Sequence, residues 1–248
     1  MSEKNQFDFP TQVLDLPSKG LLYPKSHPLA SGQIEILMPS AIHEDILTNA
    51  AYLKQGIVFD KLLKAVIVNK SIDIDDMLIG DQDAIFVAFR VLAFGGEYAV
   101  KKDGEVIPCD LSKLDEKVID PDIFKRGENE FPFFAELSKA NLTFKLLTRK
   151  DEKAIGLEID GSNKVSTSLA GDVTTRLKHT ITSVNGDRST KTIREYVDRM
   201  PIRDSRALRA FINTITPGYN MKFNYTRPTG DVVEDIDIPM TVDFFWPK

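Results

Sequence analysis

The side chains that most often ligate metals or act as nucleophiles are few and scattered in this chain. His27, His43 and His179 are far apart in sequence and stand in unlike contexts, which is typical of surface or hydrogen-bonded histidines. Cys109 is the only cysteine, so an intramolecular disulfide is ruled out and a cysteine-based metal site is not expected. We therefore predict no metal, no cofactor and no catalytic residue.

A run of aspartates between residues 73 and 83 has the density of a calcium-binding loop. An EF-hand loop that begins at Asp73 needs an oxygen ligand at its fifth position and glycine at its sixth. Met77 and Leu78 stand there instead. We interpret the run as turn residues followed by a helix cap at Asp81.

Other motifs of catalysis and nucleotide binding are missing from the sequence. It contains no GxxxxGK phosphate loop, no GxSxG elbow and no HExxH helix. A basic stretch of four arginines surrounds residue 204, and its helical spacing favours a solvated face over an anion site. Contact with a partner's acidic surface is left open as the alternative. These arginines are Arg199, Arg203, Arg206 and Arg209.

Composition is that of an ordinary soluble globular protein. The 248 residues are 42% apolar and 28% charged, with a net charge of −5. The remaining basic residues are scattered, which does not indicate nucleic-acid binding. No apolar run approaches the roughly 20 residues that span a bilayer. The first residues lack a signal-peptide core, so a cytosol-like compartment is expected during synthesis.

Hydrophobic periodicity predicts several helices with ordinary start and stop signals. Ser40 precedes the first, and Gly56 separates it from a second helix with a wide apolar stripe. Asp81 is the expected N-cap of a third helix, which ends at Gly95. Asp204 is the expected N-cap of a later helix.

Period-two alternation predicts strands with one buried face. The Asp-Gly pair at residues 103–104 predicts a hairpin turn. Residues 142–146 and 155–159 alternate as two further strands. Every even position from residue 236 to Trp246 is apolar, which predicts a final strand anchored by Trp246. A terminus this apolar is expected to dock, either in its own core or on another protein.

These elements predict an α+β protein, with helical bundle segments and mixed β-hairpins. Residues 1–32 form an extended arm, because four prolines repeatedly block helix there. Residues 33–110 form a helical subdomain with the first hairpin. A mixed β segment follows over 111–165, and a helix pair with a C-terminal hairpin over 166–248.

A faint repetition links the two halves of the sequence. The pattern Asp-x-x-Ala followed by an apolar residue begins at Asp81 and again at Asp204, and each helix ends at a glycine before an alternating aromatic segment. A diverged duplication of a helix-hairpin unit would explain the repetition. Chance recurrence would also explain it, because helix caps and stops follow common rules.

Three segments together resemble a known family. They are LPSKGLLYP at residues 16–24, the helix from Asp81 to Tyr98 with Arg90 near its end, and FFWP at residues 244–247. In this order and spacing they resemble the baseplate hub protein family of T4-like bacteriophages, described as hub subunits or hub assembly proteins. The likeness extends over about residues 14–247.

The resemblance implies a non-catalytic phage tail protein, made late in infection, that acts in assembly of the central hub of the baseplate. Its partners would be other baseplate hub and tail proteins, with self-association left open. It would occupy the host cytoplasm during assembly and, if incorporated, the tail baseplate of the virion. The residues expected to contact a partner are Leu16, Leu21, Leu22, Tyr23, Phe244, Phe245 and Trp246.

Two rival functions are kept beside the hub component. One is a dedicated chaperone for hub proteins that never enters the virion. The other is an enzyme such as a cell-wall hydrolase, which would need a pair of carboxylates in a cleft. No spacing among the 37 acidic residues singles out such a pair.

Overall fold

A computed structural model describes residues 10–165 and 171–246 of the chain. Within these residues it shows a mixed α+β fold of eight α-helices and four small antiparallel sheets, so the predicted fold class is confirmed. The helices are α1 (Ala41–Thr48), α2 (Ala50–Gln55), α3 (Val58–Val66), α4 (Ile79–Phe94), α5 (Arg149–Val165), α6 (Asp172–Thr180), α7 (Thr190–Arg199) and α8 (Ile202–Ile215).

The strands pair mostly with their neighbours in sequence. β1–β2, β3–β4 and β8–β9 are two-stranded sheets, and β5–β6–β7 form a three-stranded one. The strands are β1 (Thr11–Asp15), β2 (Gln33–Leu37), β3 (Glu97–Lys102), β4 (Glu105–Asp110), β5 (Phe131–Ala135), β6 (Ala140–Phe144), β7 (Ile181–Val184), β8 (Lys222–Thr226) and β9 (Val232–Asp237).

The hairpin predicted from the Asp-Gly pair is confirmed. β3 and β4 pair in antiparallel register across Asp103 and Gly104. Both residues have positive φ, 51° and 84°, as a two-residue turn matched to the strand twist requires. Asparagine, aspartate and glycine tolerate this conformation best, and the turn therefore forms here.

Helix α4 lies at the centre of the apolar core. Unlike a surface helix, it is buried on nearly every face, and Ile85, Phe86 and Phe89 are at most 2% exposed. A helix that is apolar all round is stable only when other elements cover it. Residues from both ends of the chain provide that cover. None of the described helices is long and apolar enough to cross a membrane.

The two halves of the chain repeat one arrangement of elements. The first unit runs through β1–β2, α1–α3, α4 and β3–β4, and the second through β5–β6, α5–α7, α8 and β8–β9. In the second unit β7 returns to β6, so that Phe144 pairs with Ile181. In the first unit Ile36 likewise forms an isolated antiparallel bridge with Ile67, although this bridge follows α3 whereas β7 lies between α6 and α7. In each unit, a segment that precedes the long helix thus pairs with the second strand of the hairpin.

Asp81 and Asp204 occupy the same place in the two units, but neither is a helix N-cap. Each is the third residue of its helix, α4 or α8, so the predicted caps are wrong. Each carboxylate instead accepts backbone N–H groups from the turn after the first strand of its unit. Asp81 accepts from Ser18 at 2.9 Å, and Asp204 accepts from Leu137 and Ser138 at 2.9 and 2.8 Å.

Further agreement between the units favours a diverged duplication over chance. Lys19 and Lys139 follow the two serines, and both have the uncommon positive φ, 50° and 55°. The helix starts also share the pattern Met-x-Ile-x-Asp-x-x-Ala, at residues 77–84 and 200–207. The rules of helix capping explain neither an aspartate that binds a turn far away in sequence nor a lysine with positive φ after that turn.

Two predicted segment assignments need correction. Residues 155–159 belong to α5 and not to a strand, because Ile155 is buried while Leu157 is 75% exposed. The described part of the arm, residues 10–32, is not a separate extension. It contains β1 and a 3₁₀ turn at Pro28–Ser31, and its apolar side chains enter the core.

The final strand predicted for residues 236–246 is wrong for most of its length. β9 spans Val232–Asp237 and shares only residues 236 and 237 with it, and a 3₁₀ turn forms at Val242–Phe245. Phe244 and Phe245 are adjacent in sequence and both are fully buried, which a strand with one buried face cannot achieve. The predicted docking of this terminus in its own core is confirmed, but the alternation marks a strand only as far as β9.

Replacing Asp81 with alanine is expected to lower the free energy of unfolding by about 3 kcal/mol or more. The substitution leaves the Ser18 N–H, the Ser18 hydroxyl and the Tyr23 hydroxyl buried without their acceptor. Urea titration followed by circular dichroism measures the loss. Asp45→Ala, at an exposed helical carboxylate, is the matched control and should change stability by less than about 0.5 kcal/mol. Equal effects of the two substitutions would contradict the assigned role of Asp81.

Candidate functional site

Most of the residues predicted to contact a partner lie inside the chain's own core. Five of the seven are at most 4% exposed: Leu16, Leu22, Tyr23, Phe244 and Phe245. A side chain that is already covered offers no surface to another protein. Only Leu21 and Trp246 of the predicted set are partly exposed, and partner contact remains a prediction for these two.

The first motif segment, residues 16–24, is fixed to the start of α4 by hydrogen bonds. The Tyr23 hydroxyl donates to Asp81 Oδ2 at 2.8 Å and accepts from the Leu78 N–H at 2.9 Å. The Ser18 hydroxyl donates to the same carboxylate oxygen at 2.7 Å. Burial raises the pKa of Asp81, and burial together with the Asp81 charge raises the pKa of Tyr23. The polar groups of Ser18, Tyr23 and Asp81 therefore find their hydrogen-bond partners within the chain, and the cluster serves the fold.

The other end of α4 holds a buried guanidinium. Arg90 is 1% exposed and donates to three backbone carbonyls, those of Phe244, Gly95 and Glu97, at 3.0, 2.9 and 3.1 Å. It has no carboxylate partner among the described residues. Burial lowers the pKa of Arg90. Its role is to hold the helix end, the start of β3 and the C-terminal turn together.

Aromatic rings complete the attachment of the C-terminal turn to α4. The ring centroid of Phe245 lies 5.6 Å from that of Phe86 and 6.0 Å from that of Phe89. Phe244 lies 5.4 Å from Tyr98. Edge-on and tilted pairs at such separations contribute beyond simple burial. The third motif segment is thus built into the core through its two phenylalanines.

An open cavity of about 590 Å³ lies beside this attachment. Phe94 is 37% exposed at its mouth, and the half-buried Trp246 forms part of its wall. Burial raises the pKa of the Cys109 thiol, so the thiol is not activated as a nucleophile. Aromatic rings and charged groups share the wall, so a partner side chain with an apolar body and a polar tip would suit it. The lining comprises Arg90, Phe94, Glu97, Tyr98, Ala99, Pro108, Cys109, Asp110 and Trp246.

A second, smaller cavity of about 230 Å³ lies against the first motif segment. Leu21 lines it together with Val118, whose side chain is completely exposed. An ion pair of Lys19 Nζ with Glu116 Oε1, 2.9 Å long, borders it. Fully exposed apolar side chains next to a concave surface are typical of contact sites. Together, Leu21 and Val118 form what we call the arm-side patch.

The three histidines hold structural positions, in agreement with their scattered sequence contexts. His43 Nδ1 accepts from the Ser40 N–H at the start of α1, 3.1 Å away. His27 stacks on Tyr23 with 5.0 Å between ring centroids, and His179 lies 3.0 Å from Glu158. No group of three or more potential metal ligands occurs within residues 10–165 and 171–246.

Two charged groups of α4 were not identified from the sequence, Arg90 as an anchor and the partly buried Asp83 as a group with a shifted pKa. Burial, with the nearby Glu152 charge, raises the pKa of Asp83 to about 6. The signal that could have found both is their position in a helix that is mostly apolar on every face. A charge on such a helix must be buried and must find partners.

Asp83→Asn is expected to stabilise the protein near pH 7.5 by on the order of 2 kcal/mol. The pKa is raised in the folded state, so the penalty of ionised Asp83 is complete above pH 6 and disappears as the carboxyl group protonates at lower pH. The advantage of the variant should therefore shrink towards pH 4. Urea titrations at both pH values measure it, with Asp45→Asn as the exposed control. A gain that grows on acidification would contradict the assignment.

Phe245→Ala is expected to cost about 3–5 kcal/mol, because a fully buried ring leaves a cavity. Trp246→Ala should cost less, about 1–2 kcal/mol, since this side chain is only partly buried. Guanidinium unfolding of both variants measures the two losses in free energy of unfolding. A larger loss for Trp246→Ala than for Phe245→Ala would show that Trp246 anchors the C-terminal turn.

Comparison of the chain with protein-family models, with curated proteins and with solved structures gives no significant match.

Proposed function

We propose that this chain is a phage tail baseplate hub protein that acts in assembly of the central hub of the baseplate. The observation that carries the proposal is the convergence of the three motif segments on α4. They lie at residues 16–24, 81–98 and 244–247 and are separated by long stretches of sequence. Direct contacts join the first and third segments to the second, through Asp81 and Arg90.

This convergence supports the resemblance for a physical reason. Short motifs that match by chance have no cause to meet in space. Residues that build one core do meet, because a buried carboxylate and a buried guanidinium each need specific partners. The contacts among the motif segments therefore support the resemblance from which the proposed function is taken.

The exposed apolar features fit an assembly role. Most motif residues are used inside the chain, so partners must bind elsewhere. The arm-side patch and the cavity near Trp246 are two of the surfaces that stay exposed among the described residues. Assembly interfaces concentrate apolar and aromatic groups at their centres, and we assign the contact with other hub proteins to the arm-side patch first.

Co-expression with the other hub proteins of the same phage, followed by affinity capture, tests the proposal. Val118→Asp should reduce recovery of a hub partner by about tenfold, because it places a charge where an apolar contact forms. The control Leu157→Asp changes a side chain that is 75% exposed on α5 and should leave recovery unchanged. Capture of no hub protein by the wild-type chain would contradict the proposed function itself.

Mass spectrometry of purified virions separates the structural subunit from the chaperone. A stoichiometric amount of this chain in the particle is expected for a hub component. Its absence from particles that need it for their assembly would assign it to the chaperone class. No observation on residues 10–165 and 171–246 favours a cell-wall hydrolase, and release of peptidoglycan fragments by the purified protein would overturn the proposed non-enzymatic role.

A further inference from the structure

The two units of the chain meet at a short antiparallel contact, which we call the inner junction. Leu78, just before α4, forms a bridge with Thr148, just before α5. The Ile79 N–H donates to the Leu147 carbonyl at 3.3 Å, and the Arg149 N–H donates to the Met77 carbonyl at 2.9 Å. A segment of the first unit, residues 77–79, is therefore covered by a segment of the second, residues 147–149.

Each of these segments has a counterpart in the other unit. Residues 200–202 precede α8 as residues 77–79 precede α4, and both begin with methionine and end with isoleucine. Residues 39–41 lead into α1 as residues 147–149 lead into α5. The Ser40 N–H bonds to the side chain three residues on, and the Thr148 N–H does the same.

The counterpart segments do not meet within one chain. Ile202 is 79% exposed and Ile42, next to the other segment, is 65% exposed. No hydrogen bond joins residues 39–41 to residues 200–202 in the described structure. Each chain thus carries a counterpart of both segments of the inner junction, residues 39–41 and residues 200–202. These two counterparts lie at separate places in the chain's structure.

The charges at the counterpart positions are opposite in sign. At the inner junction, Asp83 of the first unit is repelled by Glu152 and attracted by Arg149 of the second. The residues equivalent to Asp83 and Glu152 are Arg206 on α8 and Glu44 on α1, which attract each other. Both are exposed, and Arg206 forms no ion pair with any described residue. The basic stretch on α8 therefore complements the acidic first turn of α1.

The start of α4 makes a separate close contact with the end of α8. Gly80 lies against the carbonyl of Pro217, where a Cβ atom would not fit. Its counterpart Arg203 is exposed and carries a long side chain, so this backbone approach is not repeated at the start of α8.

We propose that a second copy of this chain docks head to tail, with residues 200–202 of one copy against residues 39–41 of the next. The Ile202 N–H would donate to the Pro39 carbonyl and the Ala41 N–H to the Met200 carbonyl, as their equivalents do at the inner junction. Such a contact is heterologous, so it closes into a ring or extends into a filament. The proposal does not depend on a phage origin.

Sedimentation velocity of the purified chain at concentrations up to about 100 µM tests self-association. The wild type should form species larger than a monomer. Ile202→Asp and Ile42→Asp should each weaken association by about tenfold or more, because the first places a charge in the contact and the second places one directly beside it. Leu157→Asp, an equally exposed site on α5, is the control and should associate like the wild type.

A mixture of the two variants gives the decisive result. In a head-to-tail contact each variant keeps one intact surface, so the Ile202→Asp and Ile42→Asp chains should form a heterodimer and nothing larger. Arg206→Glu should weaken association, and adding Glu44→Arg to the same chain should restore it. The proposal is overturned if the wild type stays monomeric, if the variants associate normally, or if the mixture forms no dimer. Circular dichroism confirms that each variant is folded.

Discussion

The rest of the structure depends on the burial of one carboxylate. Asp81 is 0% exposed, and an ionisable group in that position must be satisfied by donors from elsewhere in the chain. The donors come from Ser18 and Tyr23, more than fifty residues earlier. This requirement brings the N-terminal segment onto α4 and makes it part of the core. Asp204 meets the same requirement in the second unit with the turn at Leu137 and Ser138.

Arg90 has the equivalent effect at the opposite end of α4. Its three carbonyl partners belong to the helix end, the first hairpin and the C-terminal turn, so the last described residues are fixed to an element from the first half. The apolar character of both ends of the chain then has a simple cause. Both ends cover one central helix, and surfaces for partners must be found on what remains exposed. The proposed hub contacts and the proposed contact between copies both lie on such surfaces.

The sequence predicted the elements whose signals are local. The hairpin at residues 103–104 follows from its turn residues, and a helix does begin after Ser40. The single helix predicted up to Gly56 is divided at Asn49, whose side chain caps α2. The burial of the C-terminal end was also predictable from its composition. What failed were assignments in which a local rule competes with a distant partner. The sequence around Asp81 matches the pattern of an N-cap, yet its carboxylate accepts hydrogen bonds from Ser18 and Tyr23, which are far away in sequence. Ile155 and its neighbours alternate like a strand, but they lie in a helix with one buried position among exposed ones. The repeated unit was visible only as a faint pattern, because its strongest evidence is a hydrogen bond between residues far apart in sequence.

Native-state hydrogen exchange tests this account most directly, because the backbone N–H groups of Ser18, Leu137 and Ser138 donate to the two helix aspartates. If these contacts hold the turn of each unit to its own long helix, the three amides should exchange only in the global opening, with protection close to that of the amides in the middle of α4. If instead they exchange as fast as the amides of exposed loops, the aspartates do not hold the turns. The claim that one repeated carboxylate contact organises both halves would then be wrong.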